Sequence, residues 1–133
     1  LLRKIGIVSF GFFIYGYPGE TEEDMAETTR FALALPLDYA NFYPAVPYPG
    51  TAFYDTCVND GLLQHQSWDK MEYSYYIIKT KELNEKAVKK AISRAYRKFY
   101  LRPRFIFRHI RNIGPRHFLS GSVKYGLKFL LKS

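Results

Sequence analysis

The chain has 133 residues, 47% hydrophobic and 18% aromatic, and a formal net charge of +8 at neutral pH. This composition excludes an intrinsically disordered chain and allows one domain with a modest core. Its single cysteine excludes an internal disulfide framework and fits a reducing compartment, and no apolar run reaches the roughly 20 residues that a membrane-spanning helix needs. The charge is uneven: residues 1–99 balance acids against bases, whereas residues 100–133 hold eight Lys/Arg and no acid.

Residues 1–4 read as a lead-in. Ile5 to Tyr15 is an apolar, β-prone run, expected to form a strand buried on both faces. Alternation sets Phe12, Ile14 and Gly16 on one side, and Gly11, Phe13 and Tyr15 on the other. The run feeds Gly16-Tyr17-Pro18-Gly19, where glycine admits unusual backbone angles and proline fixes φ. A constrained turn at the carboxyl end of a strand is where α/β proteins place ligands. A helix follows, with Thr21 as N-cap, Asp24 completing an approximate capping box, and Met25, Thr28, Ala32 and Leu35 on its apolar stripe. Glu22, Glu23, Glu27 and Arg30 are expected to face water, and Pro36 ends the helix.

The same grammar then repeats. Tyr39 to Tyr43 reads as a second strand, stopped by Pro44 and Pro47. Tyr48-Pro49-Gly50-Thr51 echoes the first turn, Thr51 caps a short helix, and Gly61 closes it. Parallel, neighbouring strands would bring the two turns to one face. Cys57 inside the short helix reads as inert packing. His65 has no His, Cys or carboxylate at ligand spacing, so no metal site is assigned. No general base or nucleophile stands out, so no catalytic residue is assigned. Trp68 and Tyr73 to Ile78 form an aromatic, extended segment suited to a core or to a substrate mouth.

The longest helix begins at Thr80 or Asn84 and runs to about Leu101. Ala87, Ala91, Ala95 and Phe99 form its stripe, reinforced by Val88 and Ile92, and Glu82–Lys86 and Glu85–Lys89 are four-apart pairs. Pro103 breaks it. Residues 104–113 and 117–132 read as two basic amphipathic helices divided by Gly114-Pro115. Their stripes either pack on the body of the domain, the commoner use, or attach to an anionic membrane surface.

The pairing of FFIYGYPGET (12–21) with DYANFYPAVPYPGT (38–51) resembles the radical S-adenosylmethionine enzymes, above all the cobalamin-binding branch that includes the anaerobic magnesium-protoporphyrin ester cyclases. AYRKFYLRPRFI (95–106) is similar to that branch's C-terminal extension, so the resemblance covers roughly residues 1–110. It implies an α/β fold: two βα units of a partial (β/α) barrel over residues 1–79, and a helical, basic extension over 80–133. It implies an Fe-S oxidoreductase or methyltransferase-type enzyme using S-adenosylmethionine and a [4Fe–4S] cluster, with cobalamin an option of the branch. The cluster needs three cysteines in a Cys-x-x-x-Cys-x-x-Cys loop, and this chain has only Cys57. The chain is therefore expected to be the C-terminal part of a longer enzyme, inactive without its N-terminal part, and either to self-associate through its exposed sheet or to fold its own tail over it.

The family motif Gly-x-Ile-x-Gly-x-x-Glu matches at Ile14, the adenine contact, and at Gly16. Phe12 stands at the first Gly position, and Glu20 comes one residue late. Glu20 is thus either a cofactor contact or a carboxylate favoured near a helix N-terminus. The backbone of Tyr43, Pro44, Ala45 and Val46 either borders the nucleoside, as the resemblance implies, or is a rigid packed loop. The expected substrate is a small or lipid-like molecule, and the enzyme is expected to be cytoplasmic, peripheral at a membrane if the tail attaches there. Two other functions fit the residues. One is an α/β binding module whose basic tail meets anionic membrane or nucleic acid. The other, weaker, is a different (β/α) barrel with a phosphate site at the turn from Gly16 to Thr21.

Overall fold

The computed structural model describes residues 5–63 and 78–107. The lead-in at 1–4, His65, the aromatic segment from Trp68 to Ile77 and the tail beyond Phe107 lie outside these residues. Strands β1 (Phe10–Tyr15) and β2 (Tyr39–Pro44) pair in parallel, with Phe10 opposite Tyr39 and Tyr15 opposite Pro44. Helix α1 (Glu22–Ala34) connects them, and α2 (Ala52–Asn59) and α3 (Glu85–Tyr100) follow. The fold is α/β, with two consecutive βα units. No helix among the described residues is long and apolar enough to cross a membrane.

β1 is shorter than the apolar run that contains it. Gly6, at φ +77°, turns the chain, and pairing starts only where β2 begins. The Asp38 carboxylate marks that start: it accepts from the Ser9 N–H at 3.0 Å and the Ser9 hydroxyl at 2.9 Å, while the Tyr39 N–H donates to the Ser9 carbonyl at 3.0 Å. The expectation of burial on both faces is also corrected. Phe13 and Tyr15 of β1 and Ala40 and Phe42 of β2 are buried. Phe10, Phe12 and Ile14 are 56%, 67% and 59% exposed. The reason is layering: α1 and α3 cover one face of the sheet, and no described helix covers the other.

Helix α1 starts as its sequence dictates. Thr21 Oγ1 accepts from the Asp24 N–H at 3.3 Å, and Asp24 Oδ2 accepts from the Thr21 N–H at 2.8 Å, a reciprocal capping box. Its buried positions are Met25, Thr29 and Ala32, so the inward threonine is Thr29 rather than Thr28. Thr29 is inward because its hydroxyl, donating to the Met25 carbonyl, receives a hydrogen bond from the buried Tyr15 hydroxyl at 3.0 Å. Pro36 lies just past the extended C-cap Leu35.

Helix α3 is capped by Asn84, whose side chain accepts from the Ala87 N–H at 3.0 Å. Val88, Ile92, Ala95 and Phe99 are its buried stripe, and the helix packs on both strands and on α1. Phe42 is the hub of this core, stacking on Phe13 at 5.3 Å and meeting Phe99 edge-on at 6.1 Å. Glu85 and Lys89 form their ion pair; Glu82 precedes the N-cap, so the four-apart geometry expected with Lys86 does not apply. Pro103 does more than end α3. It opens a helical stretch over 103–107 whose Phe105 is buried on the same core. Arg102, just before it, donates to the carbonyls of Leu33 and Leu37 at 3.2 and 3.4 Å and lies 3.9 Å over the Phe99 ring. It supplies the cation that the last turn of α1 lacks.

Candidate functional site

The carboxyl ends of both strands open at the same edge of the sheet, and the two similar turns meet there. In the first, the Glu20 N–H donates to the Tyr17 carbonyl at 3.0 Å, with Gly19 at φ +89°. In the second, the Thr51 N–H donates to the Tyr48 carbonyl at 3.2 Å, with Gly50 at φ +84°. Proline followed by a left-handed glycine is the type II arrangement, in which only the glycine position tolerates positive φ. Tyr17 and Phe53 join the turns by stacking at 4.4 Å.

The residues expected at the site are brought together. Ile14 lies opposite Tyr43 in the register, and Tyr15 opposite Pro44. The parallel ladder continues one step past Pro44, because the Ala45 N–H donates to the Tyr15 carbonyl at 2.8 Å. Proline lacks an N–H but does not stop the strand here, since its position faces the outer edge. The Ala45 side chain is buried, Val46 is half-buried, and Pro47 is fully buried. Ala45 therefore offers a ligand its backbone only. Ile14 offers its side chain, on the same face as Tyr43, whose ring lies parallel to that of Phe12 at 6.5 Å.

Gly16, at φ +82°, is buried directly beneath the first turn. Glu20 has a structural job that neither expectation described. Its Oε2 accepts from the N–H groups of Gly16 at 2.7 Å and Tyr17 at 3.1 Å. The carboxylate thus braces the turn immediately ahead of the helix start, where Thr21 and Asp24 form the capping box.

Cys57 is buried, and burial, with a smaller contribution from Asp60, pushes its thiol up. A thiol held protonated is neither a good nucleophile nor a metal ligand. Among the described residues no group of three His, Cys, Asp or Glu side chains could hold a metal ion. Two positions escaped the sequence reading: Tyr96 and Tyr100, whose hydroxyls bond the backbone of β2 at Phe42 and Ala40. Their four-residue spacing beside the α3 stripe was a visible signal, but not their partners.

No family model matches the chain. It is 36% identical over 108 residues to an uncharacterized methyltransferase of Pyrococcus horikoshii, covering 81% of this chain and 24% of that protein. It is 30% identical over 131 residues to the anaerobic magnesium-protoporphyrin IX monomethyl ester cyclase of Cereibacter sphaeroides, covering 96% of this chain and 21% of that protein. A third similarity, 27% over 82 residues, is to the bacteriochlorophyllide d C-12(1)-methyltransferase of Chlorobaculum tepidum, covering 62% of this chain and 18% of that protein. The chain thus spans about a quarter or less of the curated relatives it matches, and what it is similar to is a set of methyltransferases and a cyclase.

Proposed function

We propose that this chain is the C-terminal part of the catalytic barrel of a radical S-adenosylmethionine enzyme of the cobalamin-binding branch, of methyltransferase or cyclase type. In it, Ile14, Gly16 and the backbone from Tyr43 to Val46 wall the nucleoside. One observation carries the reading: an exposed Ile14 stands in register beside Tyr43 at the shared carboxyl edge of two parallel strands, flanked by two glycine turns. The similarity to methyltransferases and to the cyclase over most of the chain supports the same reading.

The residues present fit a nucleoside. A flat base needs an apolar surface for its face and backbone groups at its edge. Ile14 offers the first, and the backbone beyond Tyr43 the second. Glu20, by holding Gly16 and Tyr17, fixes the turn that bounds this wall, and Gly16, at φ +82°, adopts the backbone angle the turn needs. When bound, S-adenosylmethionine supplies a methyl group or, on reductive cleavage, a 5′-deoxyadenosyl radical. The residues do not fit an iron–sulfur cluster: Cys57 is the chain's one cysteine and it is buried. No step is assigned through a cluster on this chain, nor is any residue assigned to cobalamin.

Activity on this proposal belongs to the complete polypeptide, which is cytoplasmic and acts on a small or lipid-like substrate. The buried Phe105 and the Arg102 contacts support packing at the start of the basic segment. The residues beyond it are the part proposed to meet an anionic bilayer. The test is equilibrium binding of S-adenosylmethionine to the complete polypeptide. Ile14→Leu retains affinity, while Ile14→Asp, which sets a charge against an apolar ring face, weakens it by about 10-fold or more. Unchanged affinity of a folded Ile14→Asp protein removes the residue from the site.

A further inference from the structure

The outward faces of the two long helices carry different charge patterns. On α1 the exposed Glu23, Glu27 and Arg30 mix both signs, and Arg30 pairs with Glu23 at 2.8 Å. On α3 the exposed Lys86, Lys90, Arg94, Arg97 and Lys98 share one sign, and none of the five is in an ion pair among the described residues. Glu22 of α1 lines the groove between α1 and α3 with Lys90 and Arg94 but pairs with neither.

Helix stability does not account for this pattern. Lys86–Lys90, Lys90–Arg94 and Arg94–Lys98 are four apart, and like charges at that spacing repel along the helix surface. The macrodipole favours Arg97 and Lys98 in the last turn but disfavours Lys86 in the first. The cations form a straight ridge. On the α-helical repeat, Lys86, Lys90 and Arg97 lie within about 30° of the direction opposite the buried stripe, and they span about 17 Å of the axis. Leu101 follows on the same side at the C-cap and is 53% exposed. Phe107, in the short helical stretch that also carries the exposed Arg104, is 72% exposed. From Lys86 to Ser133 the sequence holds fourteen Lys/Arg and no acid, so the acid-free run begins inside α3 rather than at the tail.

We infer that the outward face of α3, from Lys86 to Leu101, docks on an anionic bilayer. The cations meet lipid headgroups at the ends of their long stems, and Leu101 and Phe107 enter the boundary between headgroups and acyl chains. This docking rests on the proposed contact of the basic tail with an anionic bilayer, and extends it to a helix held on the core by Val88, Ile92, Ala95 and Phe99. A bilayer is assigned rather than a nucleic acid because Leu101 is aliphatic. It cannot stack on a base, whereas a bilayer removes it from water.

The test is co-sedimentation of the complete polypeptide with vesicles of phosphatidylcholine and phosphatidylglycerol at about 3:1, against phosphatidylcholine alone. The expected result is binding to the anionic vesicles only, weakening as salt is added. With the tail intact, Lys90→Gln, Arg94→Gln and Arg97→Gln together should weaken binding about 100-fold, which is about 5-fold for each charge. Leu101→Ser should weaken it about 10-fold and leave the salt dependence unchanged. All four side chains are exposed, so the unfolding midpoint and S-adenosylmethionine binding should stay as they are. Vesicle binding that survives every one of these substitutions belongs to the tail alone and overturns the inference without touching the tail. No binding to anionic vesicles at low salt overturns both. Lys86 and Lys90 should react with a water-soluble acetylating reagent in the lipid-free polypeptide and be shielded by anionic vesicles. Shielding without vesicles seats another part of the polypeptide on this face and overturns the inference. A single-stranded oligonucleotide bound more tightly than the vesicles, and equally well by Leu101→Ser, assigns the ridge to nucleic acid and overturns it too.

Discussion

The two Tyr-Pro-Gly turns are built alike and anchored differently. Each has a proline, a glycine at φ near +85°, a closing hydrogen bond to a tyrosine carbonyl, and a threonine N-cap immediately at hand. The first is tied into the core from both sides. Tyr15 precedes it, fully buried and bonded to Thr29, and α1 behind it buries Met25, Thr29 and Ala32. The Glu20 carboxylate then clamps its two N–H groups. In the second, Pro47 stands where Gly16 stands in the first and has no N–H for a carboxylate to hold. There the Thr51 hydroxyl donates to the Tyr48 carbonyl at 2.7 Å, and α2 behind the turn buries only Cys57. The repeat copies the chemistry of a turn, while the depth to which a turn is anchored depends on the helix behind it.

Substitutions in the two helices should expose this difference most. Met25→Ala is expected to cost about 2–5 kcal/mol, the range for a large buried side chain, and Cys57→Ala clearly less because little volume is removed. Chemical denaturation of both variants measures it; equal losses would mean that the two turns are equally anchored. Next in size is an alkaline effect that Tyr15, just before the first turn, shares with Tyr96 and Tyr100 of α3, which burial also pushes up. Burial pushes Tyr15 up to about 12. The unfolded tyrosine titrates near 10, so its contribution is whole below that pH and is lost as pH rises toward 12, on the order of 2–3 kcal/mol. Tyr15→Phe should remove that component from the pH dependence of the unfolding midpoint.

Glu20→Ala should cost about 1.5–2 kcal/mol, since it strands two N–H groups bonded to a charged acceptor. In a double-mutant comparison with Thr51→Ala, which loses an N-cap worth about 1 kcal/mol, the two losses should add, because the Glu20 and Thr51 hydrogen bonds have no atom in common, and any shortfall would report coupling through the Tyr17–Phe53 stack. Gly19→Ala and Gly50→Ala are expected to be the matched pair. A Cβ meets nothing within 4 Å at either site, so each pays only the left-handed backbone penalty of about 1–2 kcal/mol. Unequal costs would show that one turn adjusts and the other cannot.

The smallest effect is acidic and again belongs to the first turn. The Thr21 hydroxyl and backbone N–H hold Asp24 below the usual carboxylate range. Its contribution is present above the ordinary aspartate pKa and fades as pH falls through the lowered value. Asp24→Asn should flatten the acid limb of helix content by circular dichroism.

Features that reach only a few residues along the chain were legible in the sequence. Thr21, Thr51 and Asn84 cap their helices because each side chain needs only an N–H three residues ahead. The glycine turns follow from proline and glycine in fixed order, and the approach of the Ile14 strand end to that of Tyr43 follows once the strands are taken as parallel neighbours. Tertiary structure decided the rest. The start of β1 depends on Ser9 meeting Asp38, 29 residues away; the closed edge of β2 depends on Tyr96 and Tyr100, 54 and 60 residues away; and the end of α1 depends on Arg102, 69 residues from Leu33. Hydrophobic periodicity within a segment reports which side chains share a face, but not whether that face is covered. Phe12 and Phe13 are the same residue type on opposite faces of one strand, and only the helices packed on one of those faces made Phe13 core and left Phe12 exposed.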